Sequence, residues 1–407
     1  MRGSLGLSAY RTLSGRRTAP DYAPSRDRPR GEVVWIHAAE PGNNRAINDL
    51  AHRLAAVRFG CHIMITAEHD GFGTRGIDAV WQEALPPDHP ITAEAFVAHW
   101  APDVVIWAWG GLRPNIILSA ADQGAYMLLV DTDRAGFDRR RDRWLPEVPR
   151  TLLACFSHVM ARDRDAHLRL AQLGRALGTI ELCPALHPFG RMLPVADSDM
   201  TEVSAALAGR PTWLAALPAP GEWGTILSAH LSALKRAHRL LLIVHVGTTA
   251  EAADLQAEAQ RKGLRTALWG QRLPDENTQV LLCPDDGEDT LGLWLRAAPV
   301  TFLGGTLQPA HAVCDPYCAA AHGTAVIYGP NVGVHVDAFT RLMNAGAARI
   351  VNDADSLGRA VSQIIAPDQS ANMAMAGWDV VTQGADSLDR IIELTQAHLD
   401  AMQDGIA

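Results

Sequence analysis

The sequence predicts an α/β protein built from two doubly wound, Rossmann-like domains that face each other across a cleft. First, 407 residues suffice for two or three domains of ordinary size. Second, short apolar runs alternate with segments of helical periodicity, which is typical of parallel sheets covered on both faces. Third, this alternation stops in a Pro- and Asp-rich stretch near residues 184–210 and then restarts.

The first half of the chain contains four predicted strands, at residues 32–38, 62–67, 103–109 and 126–131. Helices are predicted between them, at residues 44–57, 92–100 and 115–123. In the first of these helices, apolar residues recur on one face, which indicates packing against a sheet.

The second half repeats the pattern, with predicted strands at residues 213–217, 240–246, 279–283, 300–303 and 325–328. Predicted helices lie at residues 223–238, 250–262, 289–298 and 336–344. The resulting division is a basic amino-terminal arm at 1–30, domains at 31–185 and 211–385, a linker at 186–210 and a carboxy-terminal helix at 386–407.

Composition limits the possible functions. The chain is 48% hydrophobic and 20% charged, which is ordinary for a globular protein, and its net charge of −9 argues against a large nucleic-acid-binding surface. The first thirty residues are an exception, because seven arginines stand against two aspartates there. This arm is either a frayed terminus or a surface that faces anionic lipid head groups.

Cysteine spacing and hydropathy exclude several classes of protein. The six cysteines are scattered, so neither a disulfide framework nor a metal site is predicted. The sequence contains neither an apolar run of 18 residues nor the apolar core of a signal peptide. We therefore expect a cytoplasmic protein that can touch a membrane surface.

Two strand-to-helix turns are candidate binding sites. Residues 37–43 combine His37 with Gly42 where a helix begins, and the free N–H groups of a helix N-terminus favour an anionic ligand. Residues 304–306 form a Gly-Gly-Thr turn in which missing side chains would let a phosphate approach the backbone. Either segment could also be a simple turn. His311 is a second candidate histidine for the cleft, beside His37.

Six short segments, taken in order, resemble motifs of the 3-deoxy-D-manno-octulosonic acid (Kdo) transferase family. The segments are W-I-H-A-A at 35–39, L-P-P-D-H-P at 85–90, L-R-P-N at 112–115, G-E at 221–222, A-A-P-V-T-F-L-G-G-T-L at 297–307 and G-T-A-V-I-Y-G-P at 323–330. The resemblance implies a GT-B-like arrangement of the two predicted domains.

The resemblance also implies a function. A Kdo transferase moves Kdo from CMP-Kdo to a lipid A precursor in lipopolysaccharide core biosynthesis, as a peripheral protein at the cytoplasmic face of the inner membrane. It implies a donor substrate, CMP-Kdo, with no cofactor and no nucleic acid. Acceptor-binding positions would be Gly42, Arg113 and Asn115. Donor-binding positions in the second domain would be Gly304, Gly305, Thr306, Asp315, Thr290 and His245.

Several family site residues are replaced. Asn43 stands where the family has its catalytic glutamate, and an amide cannot accept a proton at neutral pH. Glu40, on the same turn, is the candidate surrogate base. Residues 109–115 lack both carboxylates of the family's E-x-E-L-W-P-N, and His245 replaces a phosphate-binding arginine. Three interpretations stay open: an active Kdo transferase, a transferase with another donor, or an inactive paralogue that binds a glycolipid, a nucleotide or a partner protein.

Overall fold

The structure of the protein, a computed structural model, describes residues 5–16, 18–19, 21–39, 44–68, 79–109, 111–137, 147–188, 190, 192–309 and 313–404. The chain divides into two compact units. The first consists of Met1–Pro188 with Gln383–Ala407, and the second of Phe189–Thr382.

The first unit is built on a seven-stranded sheet in the order β3-β2-β1-β4-β5-β6-β7, and all its pairs are parallel. The chain winds outward from β1 to β3 and then returns to the other side of β1, so β1 and β4 flank the topological switch point. The strands are β1 Val33–Ala38, β2 His62–Ala67, β3 Val80–Gln82, β4 Val104–Ala108, β5 Tyr126–Thr132, β6 His158–Ala161 and β7 Ile180–Leu182.

In the described part of this unit, the strands are preceded or connected by the helices α1 Leu5–Gly15, α2 Asn44–Val57, α3 Pro90–Trp100, α4 Pro114–Asp122, α5 Glu147–Leu153 and α6 Arg164–Gln172. Every residue of β1 and β4 is buried, because helices cover the sheet. One face of the core is rich in aromatic rings, including Trp35, Phe96 and Trp107.

The second unit repeats this architecture with a parallel sheet in the order β10-β11-β9-β8-β12-β13-β14. Its switch point lies between β8 and β12. The strands are β8 Thr212–Ala216, β9 Leu241–Val246, β10 Thr266–Leu268, β11 Val280–Pro284, β12 Val300–Leu303, β13 Ala325–Tyr328 and β14 Ala348–Ile350.

The remaining helices are α7 Asp197–Leu207, α8 Trp223–Leu234, α9 Thr249–Arg261, α10 Leu291–Ala297, α11 Pro316–Ala321, α12 Val336–Asn344, α13 Ala354–Ile364 and α14 Pro367–Asp404. The predicted α/β class with two Rossmann-like units is thereby confirmed.

Three segments differ from their predicted form. The stretch predicted as a linker contains α7, whose first turn carries Asp197 and Asp199, residues that stabilise a helix N-terminus. The carboxy-terminal helix begins at Pro367, well before residue 386, and continues from the second unit into the first. The amino-terminal arm includes α1, which buries Leu7 in the core of the first unit.

Within the described residues, no helix has both the length and the apolar composition needed to cross a membrane.

Candidate functional site

The carboxyl edge of the first sheet carries a row of polar side chains beside the switch point, where ligands of such sheets bind. Part of the predicted site, namely Glu40, Gly42 and Asn43, lies outside the described residues. The structure places the flanks of that turn, because β1 ends at Ala38 and α2 begins at Asn44.

His37 is completely buried near the end of β1. Its Nδ1 lies 2.8 Å from Thr66 Oγ1, and Trp35 Nε1 donates to the same oxygen at 2.9 Å. Because an indole N–H can only donate, the Thr66 hydroxyl is free to direct its own proton to His37 Nδ1. This arrangement favours the neutral tautomer with its proton on Nε2.

The environment of His37 holds the ring neutral. Burial lowers the pKa of His37, and the interaction with Glu68 opposes that shift only in part. Its ring also packs against Trp107, with 4.1 Å between the ring centroids. His37 Nε2 lies 3.6 Å from Glu68 Oε1, which is longer than an ordinary hydrogen bond but close enough for electrostatic attraction.

Glu68 directly follows β2 and forms a bidentate ion pair with Arg113. Arg113 Nε donates to Glu68 Oε1 at 2.8 Å, and Nη2 donates to Oε2. Burial raises the pKa of Glu68, but the interactions with His37 and Arg113 outweigh it and lower the pKa to about 2. The carboxylate is therefore anionic throughout the physiological pH range.

Asn115, predicted to bind the acceptor, joins three segments of the first unit. Its side-chain Nδ2 donates to the Asp88 carbonyl at 2.8 Å and to Ser14 Oγ at 3.2 Å. Asp88 Oδ1 in turn accepts from the backbone N–H groups of Asn115 and Ile116 at the start of α4. Tyr10 of α1 donates to Asp88 Oδ2 at 2.8 Å. The amino-terminal helix is thus fastened to the segment that carries Arg113.

A second polar cluster lies at the ends of β4, β5 and β6. Trp109 and Asp131 both adopt left-handed backbone conformations, with φ of 67° and 51°, and Trp109 Nε1 donates to Asp131 Oδ2 at 2.6 Å. Arg162 Nε lies 3.6 Å from Asp131 Oδ1, while its Nη2 lies 2.9 Å from Asp133. Burial raises the pKa of Asp131 to about 7 despite the opposing effect of Arg162.

Glu68 and Asp131 were not among the predicted site residues. Glu68 lies just after β2, which pairs with β1, and Asp131 lies near the end of β5, which pairs with β4. Both are charged, and the two strands lie on opposite sides of the switch point. That signal is present in the sequence, since a charged residue at the end of an apolar run is placed at the binding edge of a parallel sheet.

In the second unit, the predicted Gly-Gly-Thr loop follows β12 and is organised by Glu222. This buried carboxylate accepts from the backbone N–H groups of Gly305 and Leu307 at 2.7 Å each, and from Ala219 at 2.9 Å. Two N–H groups that could have faced a phosphate therefore bond a carboxylate of the chain itself.

Gly304 and Thr306 shape the same loop. A Cβ atom on Gly304 would lie 2.3 Å from Pro218 Cα, so only glycine allows this close approach of two backbones. Thr306 is fully buried, where its hydroxyl donates to the Leu303 carbonyl at 2.6 Å and accepts from the Gly329 N–H at 2.7 Å.

His245 and Thr290, both predicted donor-binding residues, meet at the ends of β9 and β11. His245 Nε2 lies 3.3 Å from Thr290 Oγ1 and 3.3 Å from Asp285 Oδ1. Asp285 also accepts from the Thr290 backbone at 2.7 Å. Burial lowers the pKa of His245, so this position carries a neutral imidazole in place of a guanidinium.

The two remaining predicted positions are Asp315 and His311. Asp315 caps α11 by accepting from the Tyr317 N–H at 3.1 Å. His311 lies outside the described residues. No group of three or more metal-ligating side chains occurs in the described part of the chain.

Comparison with known proteins supports the resemblance seen in the sequence. Residues 13–187 match a family model described as 3-deoxy-D-manno-octulosonic-acid transferase. The Kdo transferase of Bordetella pertussis is 29% identical over 396 residues, which cover 92% of this chain and 88% of that protein. The chain is thus similar to Kdo transferases over most of its length.

A second relative and one solved structure were also found. The Kdo transferase of Haemophilus influenzae is 25% identical, with 91% of this chain and 88% of that protein covered. Among solved structures, the C-terminal CMP-Kdo binding domain of WaaA from Acinetobacter baumannii covers 47% of this chain and 99% of that domain, at 20% identity and a TM-score of 0.40.

The relation to Kdo transferases gives the replaced residues a context. Trp109 and Gly111 stand where the E-x-E motif has its carboxylates, and Arg113 stands where L-W-P-N has tryptophan. At this edge of the sheet, Glu68 pairs with Arg113 and Asp131 pairs with Trp109. Two of the three replaced residues thus contact a carboxylate from another segment of the sheet edge, Trp109 through Asp131 of β5 and Arg113 through Glu68 after β2.

Proposed function

We propose that this protein is a glycosyltransferase that moves Kdo from CMP-Kdo to a lipid A precursor in lipopolysaccharide core biosynthesis. The observation that carries the proposal is the similarity to the Kdo transferase of Bordetella pertussis, which is 29% identical in sequence. The aligned region covers 92% of the chain and includes both units. The described part of the binding edge retains carboxylates, in Glu68 and Asp131, although the E-x-E carboxylates are replaced.

The reaction requires one proton acceptor. The hydroxyl oxygen of the acceptor bonds to the anomeric carbon of Kdo while the bond from that carbon to the phosphate oxygen of CMP breaks. The hydroxyl proton then passes to a base. We assign that role to Glu40, because it is the carboxylate on the turn where the family has its base, with Asn43 at the family position itself. His37 is buried and neutral, which suits a positioning role.

CMP-Kdo is the proposed donor, and the second unit is proposed to bind it. Its candidate contacts are the loop of Gly304, Gly305 and Thr306, together with Asp315, Thr290 and His245. The Glu222 hydrogen bonds hold that loop rigid at the carboxyl edge of β12, beside the switch point. The neutral His245 predicts weaker phosphate binding than an arginine would give.

The acceptor is proposed to bind the first unit at Gly42, Arg113 and Asn115. Asn115 holds the segment that carries Arg113, so its contribution is to fix the guanidinium in place. Arg113 supplies the positive charge that an anionic acceptor requires.

Variants of the turn test the assignment of the base. Positioned proton transfer contributes about 10²- to 10⁴-fold to a rate, so Glu40→Gln is expected to lower kcat by that factor while CMP-Kdo affinity stays unchanged. Asn43→Glu restores the family carboxylate and is expected to raise kcat. Equal transfer rates in the wild type and both variants would show that the base lies elsewhere.

Peripheral contact with the cytoplasmic face of the inner membrane is proposed for α1. Its exposed side carries Arg11 and Leu13, and the exposed Arg16 follows its last residue, while Leu7 and Tyr10 pack against the rest of the first unit. Each cation near an anionic surface contributes about 1 kcal/mol. Replacing Arg11 and Arg16 by Gln is expected to lower cosedimentation with anionic liposomes at low salt.

Two controls accompany that measurement. High salt is expected to release the wild type, because screening weakens exposed charges. The pair Arg236→Gln and Arg261→Gln removes two exposed arginines from the second unit and is expected to leave binding unchanged. Equal loss from both pairs of substitutions would mean that α1 is not the contact.

A further inference from the structure

Glu68 and Arg113 end a chain of polar contacts that starts deep in the core. Trp35 donates to Thr66, Thr66 contacts His37, and His37 faces Glu68. The first three members are completely buried, whereas 23% of the Glu68 side chain and 26% of the Arg113 side chain are exposed. The chain therefore fixes one carboxylate at the surface of the binding edge.

A second ion pair in the same unit shows what a purely structural pair looks like. Arg58 forms a bidentate ion pair with Glu32 at the amino edge of the sheet. The Arg58 side chain is 13% exposed and the Glu32 side chain is 21% exposed. All three guanidinium nitrogens of Arg58 are used, since Nη1 donates to Asp400 at 2.6 Å. Glu32 also accepts from Gln403. We call this pair saturated, because the protein contacts all three guanidinium nitrogens of Arg58 and adds a second hydrogen bond to one oxygen of Glu32.

The Glu68–Arg113 pair is not saturated in the same way. Arg113 uses Nε and Nη2 on Glu68, and its Nη1 makes no hydrogen bond to any described residue. A guanidinium held by two bonds has a fixed plane, so Nη1 is a donor in a set direction. Each Glu68 oxygen accepts one hydrogen bond from Arg113 and has capacity for another.

We propose that Glu68 and Arg113 together bind the acceptor sugar, with Glu68 accepting a hydrogen bond from a sugar hydroxyl and Arg113 Nη1 donating to a neighbouring anionic substituent. This inference rests on the proposed function, because it names the group that orients the acceptor in that reaction. Glu68 does not take the proton. Its low pKa makes it a weak base, so orientation is its role and proton transfer remains with another group.

The test measures the affinity of the protein for a lipid A precursor in detergent micelles, without donor, and separately the KM for each substrate. A hydrogen bond to a charged group contributes about 1.5–3 kcal/mol, which corresponds to roughly 10- to 150-fold in affinity. Glu68→Gln is expected to weaken acceptor binding, and to raise acceptor KM, by a factor in that range. The KM for CMP-Kdo is expected to stay within about twofold.

Two more variants separate binding from structural support. Glu32→Gln breaks the saturated pair and is expected to leave acceptor affinity unchanged, whatever it costs in stability. Arg113→Met is expected to weaken acceptor binding at least as much as Glu68→Gln does. Thermal unfolding of each variant shows whether the fold is intact.

The outcomes distinguish this inference from the proposed function. Transfer by the wild type with unchanged acceptor affinity in Glu68→Gln overturns the inference and leaves the function standing. Acceptor binding that depends on Glu68, without any transfer, supports the inference and overturns the function. A wild type that binds no acceptor overturns both.

Discussion

Asp131 shows how strongly one buried position departs from ordinary chemistry. Its carboxyl group is fully enclosed, its backbone is left-handed, and it accepts a hydrogen bond from Trp109. Burial raises its pKa to about 7, above the value of about 3.9 for an unfolded aspartate. Between those values the folded protein retains a proton that the unfolded chain releases.

This difference predicts a pH-dependent stability. As pH rises from about 4 to about 7, Asp131 is expected to lower the free energy of unfolding by up to about 1.4 kcal/mol per pH unit. Asp131→Asn removes the titration, so its stability relative to the wild type should increase from pH 5 to pH 8. Urea unfolding at the two pH values measures this.

Asp133→Asn is the control, because it removes a neighbouring carboxylate that also contacts Arg162 and leaves Asp131 in place. It is expected to keep most of the wild-type pH dependence, because burial raises the pKa of Asp131 more than the charge of Asp133 does. A stability difference between Asp131→Asn and wild type that does not grow with pH would contradict the burial argument.

At the same scale, sequence reasoning anticipated one contact of the candidate site and missed others. His245 and Thr290 were both predicted to bind the donor, and their side chains contact each other. Glu68 and Asp131 were missed because the predicted site followed aligned family motifs, and neither residue belongs to one. Their roles depend on Arg113 and Trp109, which lie 45 and 22 positions away along the chain. Such pairings follow from strand order, which periodicity alone does not give.

At the scale of elements, the loop after β12 depends on glycine. A Cβ on Gly304 would lie 2.3 Å from Pro218 Cα and 2.4 Å from the Leu217 carbonyl oxygen, so Gly304→Ala forces backbone to move. Overpacking of this kind costs about 1–3 kcal/mol. We expect a lower melting temperature and weaker CMP-Kdo binding by calorimetry.

Gly178→Ala is the matched control, because its added Cβ meets nothing within 4 Å and its φ is not left-handed. It should leave both quantities unchanged. Wild-type melting and donor binding in Gly304→Ala would show that the loop tolerates displacement and does not position the donor.

The central strands of both sheets were predictable, since they are continuous apolar runs. The three-residue edge strands β3, β7, β10 and β14, and the neighbouring strand β6, were not predicted. Helices at the margins of the units were less predictable. The sequence indicated helix over the last fifty residues, with an apolar set at 391–399, but it did not give the start of α14 at Pro367. The helix α7 lies in a stretch where Pro and Asp suggested a linker. Their formation depends on tertiary contacts, which outweigh local propensity.

At the scale of the whole molecule, the two units share an architecture and differ in how they use charge. The first places Glu68, Arg113, Asp131 and Arg162 at its carboxyl edge. The second uses Glu222 to bond backbone N–H groups and has neutral His245 where an arginine is expected. If the protein acts as proposed, its acceptor side is rebuilt and its donor side is expected to bind phosphate less tightly than an arginine at position 245 would allow.

The most direct test of this account is a mass measurement of the acceptor after incubation of the purified wild type with CMP-Kdo and a lipid A precursor. The account predicts that the acceptor gains the mass of Kdo and that CMP is released in equal amount. An acceptor of unchanged mass, with no release of CMP, would contradict the proposed transfer and favour a protein that binds without catalysing it.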